Sequence, residues 1–213
     1  RDLRMSRGLG DVYKRQVLTV TPDQVLIRAT SGAGLFYGVQ TMLQMADEKE
    51  LPVGVITDEP RFAYRGFMMD VSRHFFNKEF IKKQMDALAY YKLNRLHLHL
   101  TDAAGWRIEI KKYPRLTEFA AWREFPTWKE WWNNGRRYEE EGSKDAHGGY
   151  YTQDDIRELV AYAQERFITV IPEIEMPAHS EEVLTAYPEL SCTHEPYKQA
   201  DFCVGNEKTF EFL

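Results

Sequence analysis

Hydrophobic positions alternate, then cycle, then alternate again along this chain. Val17-Leu-Thr-Val20 and Val25-Leu-Ile-Arg28 read as two short strands, joined by a tight turn at Thr21-Pro22-Asp23-Gln24. Beyond the glycine-punctuated Ser31-Gly-Ala-Gly34, the residues Leu35, Phe36, Val39, Met42, Leu43 and Ala46 recur at helical spacing and predict a helix to about Glu48. Pro52 and Pro60 bracket Val53-Gly-Val-Ile56, which reads as a linker between units. Residues 1–16 follow neither period, and they are charged without an apolar stretch. They are expected to be an unstructured or non-native leader rather than a signal peptide.

From Phe62 the rhythm becomes strand, helix, strand, helix, strand. Gly66 to Val71 is a short apolar run carrying an acid at its end, and Asn77 is placed to cap a helix with Phe80, Ile81, Met85, Leu88 and Tyr91 on one side. Leu96 to Leu100 is the next strand. A long connection from about Gly105 to Tyr151 follows, and Thr152-Gln-Asp-Asp155 then opens a helix bearing Ile156, Leu159, Val160, Ala163 and Phe167. Ile168 to Ile174 is a third strand, and Asn206 caps a last helix. Strands alternating with helices of this length predict an α/β fold with parallel strands and right-handed crossovers, in about three βα units.

Composition narrows the function classes. The 213 residues carry 28 basic and 33 acidic side chains, a formal charge of −5. That balance argues against nucleic acid as the main partner, which usually leaves a basic footprint. No run approaches the roughly 18 apolar residues of a membrane span. Cys192 and Cys203 are the two cysteines, too few for a disulfide-dense scaffold or a four-cysteine zinc site. They lie 11 apart and could bridge in an oxidising compartment or remain thiols. Aromatic residues are abundant, and four of the five tryptophans (122, 128, 131 and 132) fall in one short stretch. They suit either a sugar-stacking face or cover for the flank of the fold.

In βα repeats, functional groups gather at the C-terminal ends of the strands. Those ends carry Asp70 and Arg73-His74, then Thr101-Asp102, then Glu173, Glu175 and His179. Three consecutive strands ending in ionisable groups suit a catalytic face. His97 and His99 share one face of their strand, and such a pair can present two imidazoles to a metal ion. Core histidines hydrogen-bonded inside a barrel follow the same spacing, and no further run of His, Lys and Asp ligands appears. Arg65 and Arg73 flank the first of these strands; surface salt bridges would account for them equally well.

Four stretches taken together resemble a known family. YRGFMMDVSRHF (64–75), LNRLHLHLTDAAGWRIEIKKYPRL (93–116), GGYYTQDDIRELVAYAQERFITVIPEIEMPAHS (148–180) and YPELSC (187–192) are similar to glycoside hydrolase family 20, the β-N-acetylhexosaminidases. The resemblance implies that residues 17–58, including LFYGVQTMLQM (35–45), are the C-terminal part of a small α+β domain. It implies that 59–213 are the N-terminal part of a (β/α)8 catalytic barrel, an incomplete TIM barrel. The implied activity removes terminal β-linked N-acetylglucosamine or N-acetylgalactosamine from an oligosaccharide or glycoconjugate, with no cofactor and no metal. The mechanism implied is retaining and substrate-assisted, outside the two-carboxylate scheme. The sugar's 2-acetamido oxygen attacks the anomeric carbon to give an oxazolinium, an Asp orients the acetamido N–H, and the adjacent Glu protonates the leaving oxygen. Carried over by motif, Arg65 would bind hydroxyls of the terminal sugar, and Asp102 and His179 would form a relay behind the acid/base. Asp70 and Glu173 would shape the site from below. A secreted or periplasmic location follows from the resemblance alone.

The chain departs from the family in one respect that matters. The adjacent Asp-Glu pair belongs to a motif like His-x-Gly-x-Asp-Glu at the end of the fourth strand, and no such motif occurs here. Asp58-Glu59 precedes the barrel strands, and Asp47-Glu48 belongs to the earlier helix. The chain is therefore expected to stop before the fourth strand, to be poorly soluble alone and to lack hexosaminidase activity. Ala103-Ala104 stand where Asp-Gln is frequent, and Ala178 stands where Gly is usual, with a possible restriction of the backbone beside His179. Two other readings remain: a metal-dependent barrel hydrolase built on His97, His99 and His179, and a carbohydrate-binding protein without catalysis.

Overall fold

The computed structural model describes residues 14–46 and 50–213. The expected leader therefore lies almost wholly outside the described residues, as do Asp47 and Glu48. The described residues divide into two compact units: residues 14–46, 50–67, 83–96 and 162–169 belong to one, and residues 68–82, 97–161 and 170–213 to the other. Among the described residues no helix is long and apolar enough to cross a membrane.

The first unit holds a three-stranded antiparallel sheet of β1 (Gln16–Val20), β2 (Val25–Ala29) and β3 (Gly54–Asp58), in the order β2-β1-β3. Leu18 and Val20 point inward from the central strand, as its alternation requires. The stretch expected to be a linker is thus a strand. Val20 pairs with Gly54 and Gln16 with Asp58, so the two prolines bracket an edge strand, where a missing N–H is tolerated. Gln16 is the buried exception to the apolar face, and its amide donates to Asp58 Oδ2 at 2.6 Å and Thr41 Oγ1 at 3.3 Å. Helix α1 (Gly32–Met45) starts three residues before the first apolar position, because the Ser31 side chain accepts from Gly34 N–H. It crosses the sheet closely at Gly38, where a Cβ would lie 2.4 Å from Ile27 Cγ2.

Three further strands form a second sheet in the order β10-β5-β4: β4 (Gly66–Asp70), β5 (Arg95–His99) and β10 (Thr169–Glu173). Their beginnings bond to beginnings, Asn94 N–H to Arg65 C=O and Thr169 N–H to Asn94 C=O. Their ends bond to ends, Val71 N–H to His99 C=O and Leu100 N–H to Glu173 C=O. The sheet is parallel, and the fold is α/β. Asn77 caps α2 (Lys78–Tyr90) by accepting from Phe80 N–H. Thr152 and Asp155 exchange side-chain and backbone bonds at the start of α5 (Gln153–Gln164), a reciprocal capping box.

Within the second unit the long connection folds into short pieces: β6 (Thr101–Asp102), β7 (Gly105–Trp106), α3 (Arg115–Glu118), β8 (Trp122–Arg123), α4 (Trp128–Asn133) and β9 (His147–Gly148). Trp106, Leu116, Val183, Leu184, Leu190 and Phe202 make one core cluster, to which α6 (Glu181–Ala186) contributes its buried face. Trp131 is fully buried beside Tyr138, with its indole N–H on Arg137 C=O at 3.0 Å. The aromatic excess therefore divides. Trp106, Trp122 and Trp131 give their N–H groups to backbone carbonyls, whereas Trp128 and Trp132 stack on each other and stay exposed. Helix α7 (Glu207–Phe212), capped by Asn206, ends the described chain, and its Phe212 packs on Tyr113.

Candidate active site

Parallel strands direct their final residues toward one rim, and here that rim is ionised. Asp70 closes β4, and its Oδ1 accepts from Ser72 N–H and Arg73 N–H, so the carboxylate caps the turn that follows the strand. That turn brings the Arg73 guanidinium back, with Nη1 2.6 Å from Asp70 Oδ2 and Nη2 2.6 Å from Asp102 Oδ2. Asp102 itself is 3% exposed. A two-residue hairpin holds it, Asp102 opposite Gly105, and the Ser72 hydroxyl donates to the carbonyls of both. Buried Arg107 anchors the loops around it. Its guanidinium reaches the carbonyls of Ser72 (2.7 Å), Ala104 (3.2 Å), Ala121 (2.5 Å) and Gly149 (3.0 Å). Gly105 is a glycine because a Cβ there would sit 2.3 Å from that guanidinium.

Three groups converge on Asp102 Oδ2: Arg73, His99 Nε2 at 3.1 Å and His179 Nδ1 at 3.6 Å. His179 stands on the loop after β10 with a positive φ of 53° and faces Glu175 Oε1 at 3.4 Å as well. The left-handed residue in this loop is His179 and not Ala178, so the alanine adds no strain of its own. Backbone bonds pin the loop from outside, Phe202 N–H to Pro177 C=O and Ser180 N–H to Ala200 C=O. Residues 200 and 202 belong to the segment closed by a Cys192–Cys203 disulfide, which answers the question that the sequence left open.

The histidine pair on β5 meets a carboxylate from the neighbouring strand. His97 Nε2 lies 2.5 Å from Glu173 Oε2, and His99 Nδ1 lies 3.0 Å from Glu173 Oε1. Both rings therefore share a face, as the two-residue spacing requires, and they bracket Glu173. The hydrogen bond to Asp102 pushes the His99 imidazole up to about 9, against the desolvation that opposes it, with Asp70 and Glu173 adding to the rise. Burial pushes the Glu173 carboxyl up, but the hydrogen bonds from His99 and His97 outweigh it and hold the group below its ordinary value. His99, Glu173 and Glu175 each offer an atom within 4.8 Å of the others, a spacing that a cation could use. Both His99 nitrogens also face carboxylates, Asp102 at one and Glu173 at the other. The arrangement is a charge-assisted hydrogen-bond network.

Of the residues singled out from the sequence, Asp70, Asp102, Glu173 and His179 are brought together. Arg65 belongs to the other compact unit. It precedes β4, and its Nη2 donates to Tyr91 C=O at 2.8 Å. The arginine at the strand's other end is Arg73, on the rim with Asp70 and Asp102. His99 and Glu175 complete the group. Glu182 was not foreseen. Its carboxyl is buried near Asp102, Arg107 and Glu181, Oε2 has no hydrogen-bond partner among the described residues, and burial raises it well above the carboxylate range.

Comparison with known proteins gives these positions a context. The model of glycosyl hydrolase family 20, catalytic domain, matches residues 62–213, and that of glycosyl hydrolase family 20, domain 2, matches residues 16–59. A β-hexosaminidase of Porphyromonas gingivalis is 44% identical over 208 residues, covering 89% of this chain and 25% of the relative. A β-hexosaminidase of Akkermansia muciniphila is 41% identical over 203 residues, covering 93% of this chain and 38% of the relative. Among solved structures, the family 20 exo-β-N-acetylglucosaminidase of Vibrio harveyi in complex with N-acetylglucosamine superposes with a TM-score of 0.78. The identity there is 35%, over 93% of this chain and 32% of that one. The chain thus spans between 25% and 38% of these two curated relatives.

Proposed function

The chain belongs to glycosyl hydrolase family 20, and on that premise we propose that it supplies the first part of a β-N-acetylhexosaminidase barrel, carrying the supporting half of the active site. The substrate is an oligosaccharide or glycoconjugate ending in β-linked N-acetylglucosamine or N-acetylgalactosamine. The single observation that carries this reading is the convergence of Arg73, His99 and His179 on Asp102 at the ends of parallel strands.

In the substrate-assisted mechanism, the acetamido oxygen of the bound sugar is the nucleophile, so the protein must orient that group and supply one acid. Asp102 and His179 then serve behind the acid: the carboxylate orients the imidazole, and the imidazole orients and tunes the Glu that protonates the leaving oxygen. The fork of Arg73 suits vicinal sugar hydroxyls better than a point charge would. Asp70 holds that fork in place through its 2.6 Å contact with Nη1. Glu173 supports the floor through His97 and His99. The small sheet of residues 17–58 belongs, in this reading, to an α+β domain preceding the barrel.

The acid itself is not in this sequence, which contains no His-x-Gly-x-Asp-Glu motif. The 213 residues alone are therefore inactive in this reading. A sheet whose edge strand β4 carries exposed Phe67 and Met68 also favours aggregation. The test compares the chain alone with an enzyme in which it is joined to the remaining barrel strands, on a chromogenic N-acetylglucosaminide. The joined enzyme should turn over, and Asp102→Asn should lower its kcat by about 10²–10⁴-fold with a smaller change in KM. Turnover by the chain alone, or an Asp102→Asn enzyme with unchanged kcat, overturns the reading.

A further inference from the structure

His99 is the most enclosed ionisable group of the network after Asp102, at 6% exposure, and motif comparison gave it no role in the chemistry. Both ring nitrogens are engaged, Nε2 with Asp102 Oδ2 at 3.1 Å and Nδ1 with Glu173 Oε1 at 3.0 Å, and Glu175 Oε2 stands 3.9 Å from Nδ1. A carboxylate oxygen has no proton to give, so hydrogen bonds at both nitrogens require both to be donors. The ring is then an imidazolium between two carboxylates.

We propose that His99 is a positioning residue of the hydrolase, a doubly donating ring that fixes the Asp102 carboxylate so that Oδ2 faces His179. The proposal rests on the reading of Asp102 and His179 given above. Its logic is geometric. Asp102 Oδ2 receives Arg73 from the loop after β4, His99 from β5 and His179 from the loop after β10. Arg73 is two-fifths exposed and divides its guanidinium between Asp70 and Asp102, so solvent screens part of its hold on the Asp102 carboxylate. His99 is held by the backbone of a central strand at one end and by Glu173 at the other. That makes it the rigid reference against which Asp102 is set, and charge-assisted bonds of this kind are both shorter and stronger than neutral ones.

The groups facing this ring are Asp70 and Arg73 from the end of β4, His97 on its own strand, Asp102 beyond it, and Glu173, Glu175 and His179 from β10 and its loop. Removing the imidazolium takes the Nε2 contact away from Asp102 Oδ2 and leaves the Arg73 guanidinium to set that carboxylate alone. The effect on turnover should pass through Asp102 and nowhere else.

The experiment is a double-mutant cycle in the joined enzyme, with His99→Leu, His99→Gln, Asp102→Asn and the His99→Leu/Asp102→Asn pair. Folding of each variant is checked by its unfolding midpoint. His99→Leu should lower kcat at least about tenfold with KM within about threefold, a general acid–base contribution lost in part. His99→Gln, which keeps one donor, should recover part of that loss. It also serves as the test variant if His99→Leu does not fold. Adding His99→Leu to Asp102→Asn should cost no further turnover, because both remove the same unit. Nitrogen-15 spectra at pH 7.5 should show both His99 ring nitrogens protonated. Independent, multiplying losses in the cycle, or a His99 ring carrying one proton at pH 7.5, overturn the positioning role while leaving the Asp102–His179 reading intact. A silent Asp102→Asn fails that reading, and this proposal with it.

Discussion

Arg73 Nη2 lies 2.6 Å from Asp102 Oδ2, so a cation two-fifths open to solvent is tied to a carboxylate almost closed to it. Arg65, eight residues earlier, spends its guanidinium on the Tyr91 carbonyl. The two arginines therefore have different consequences when lost. In the joined enzyme, Arg73→Ala should lower kcat/KM about tenfold or more, the value for a charge pair discounted for its partial exposure. Arg65→Ala should leave kcat/KM within about twofold and cost only about 1 kcal/mol of stability, the usual worth of one hydrogen bond. Steady-state kinetics on a chromogenic N-acetylglucosaminide check both. Equal losses from the two substitutions would return the sugar contact to Arg65.

Stability should follow pH through His99. Its folded value lies above the ordinary 6.5, so the proton favours the folded state. That contribution is complete below about pH 6.5 and is lost as pH rises through about 9. Glu173 acts in the opposite direction. Its folded value is lowered, so its contribution is present above the ordinary 4.5 and is lost as pH falls through the folded value. Thermal unfolding from pH 5 to 9.5 should show a midpoint that declines on the alkaline side, and His99→Gln should flatten the decline between pH 6.5 and 9. A decline of unchanged slope in that variant would assign it to other groups.

The elements were legible where one local signal sufficed. Ser31, Asn77, Thr152 and Asn206 each cap a helix through a bond within three residues of chain, and the apolar cycles behind them locate the buried faces. The strand Gly54–Asp58 was not legible, because its partner β1 lies more than thirty residues earlier and its two prolines imitate a linker. The site divides in the same way. That His97 and His99 share a face follows from spacing alone. That they both meet a carboxylate depends on Glu173, 74 residues beyond His99 on another strand. Glu182 could not have been found, since the helix that buries it has no clear amphipathic period: all six of its residues are enclosed.

Glu182 predicts a stabilising substitution. Burial raises its carboxyl well above the ordinary value, so the folded state holds a proton that the unfolded chain releases once pH exceeds about 4.5. Folding is penalised from that pH upward, and the unpartnered Oε2 adds a further cost of about 1–3 kcal/mol. Glu182→Met keeps the length of the side chain and removes both penalties. The unfolding midpoint of the joined enzyme should rise by several degrees at pH 8 and by less at pH 4.5. A midpoint that falls at pH 8 would mean that Glu182 is ionised and serves as counter-charge to Arg107.

The disulfide reaches the site through two backbone bonds. Cys192 and Cys203 bridge positions 11 apart in sequence, and Ala200 and Phe202 between them hold Ser180 and Pro177, the residues on either side of Ala178 and His179. Closing a loop of that length restricts the unfolded chain by about 3 kcal/mol in the chain-entropy account. The same bridge limits how far residues 200 and 202 can move from the loop that carries His179 once folded. Cys192→Ser/Cys203→Ser should therefore lower the unfolding midpoint and, at a temperature where the variant stays folded, reduce kcat several-fold with KM nearly unchanged. Treatment of the joined enzyme with dithiothreitol should reproduce both effects, and removal of the reductant in air should reverse them. A reduced enzyme that is less stable but retains full kcat would confine the bridge to the fold and detach it from His179.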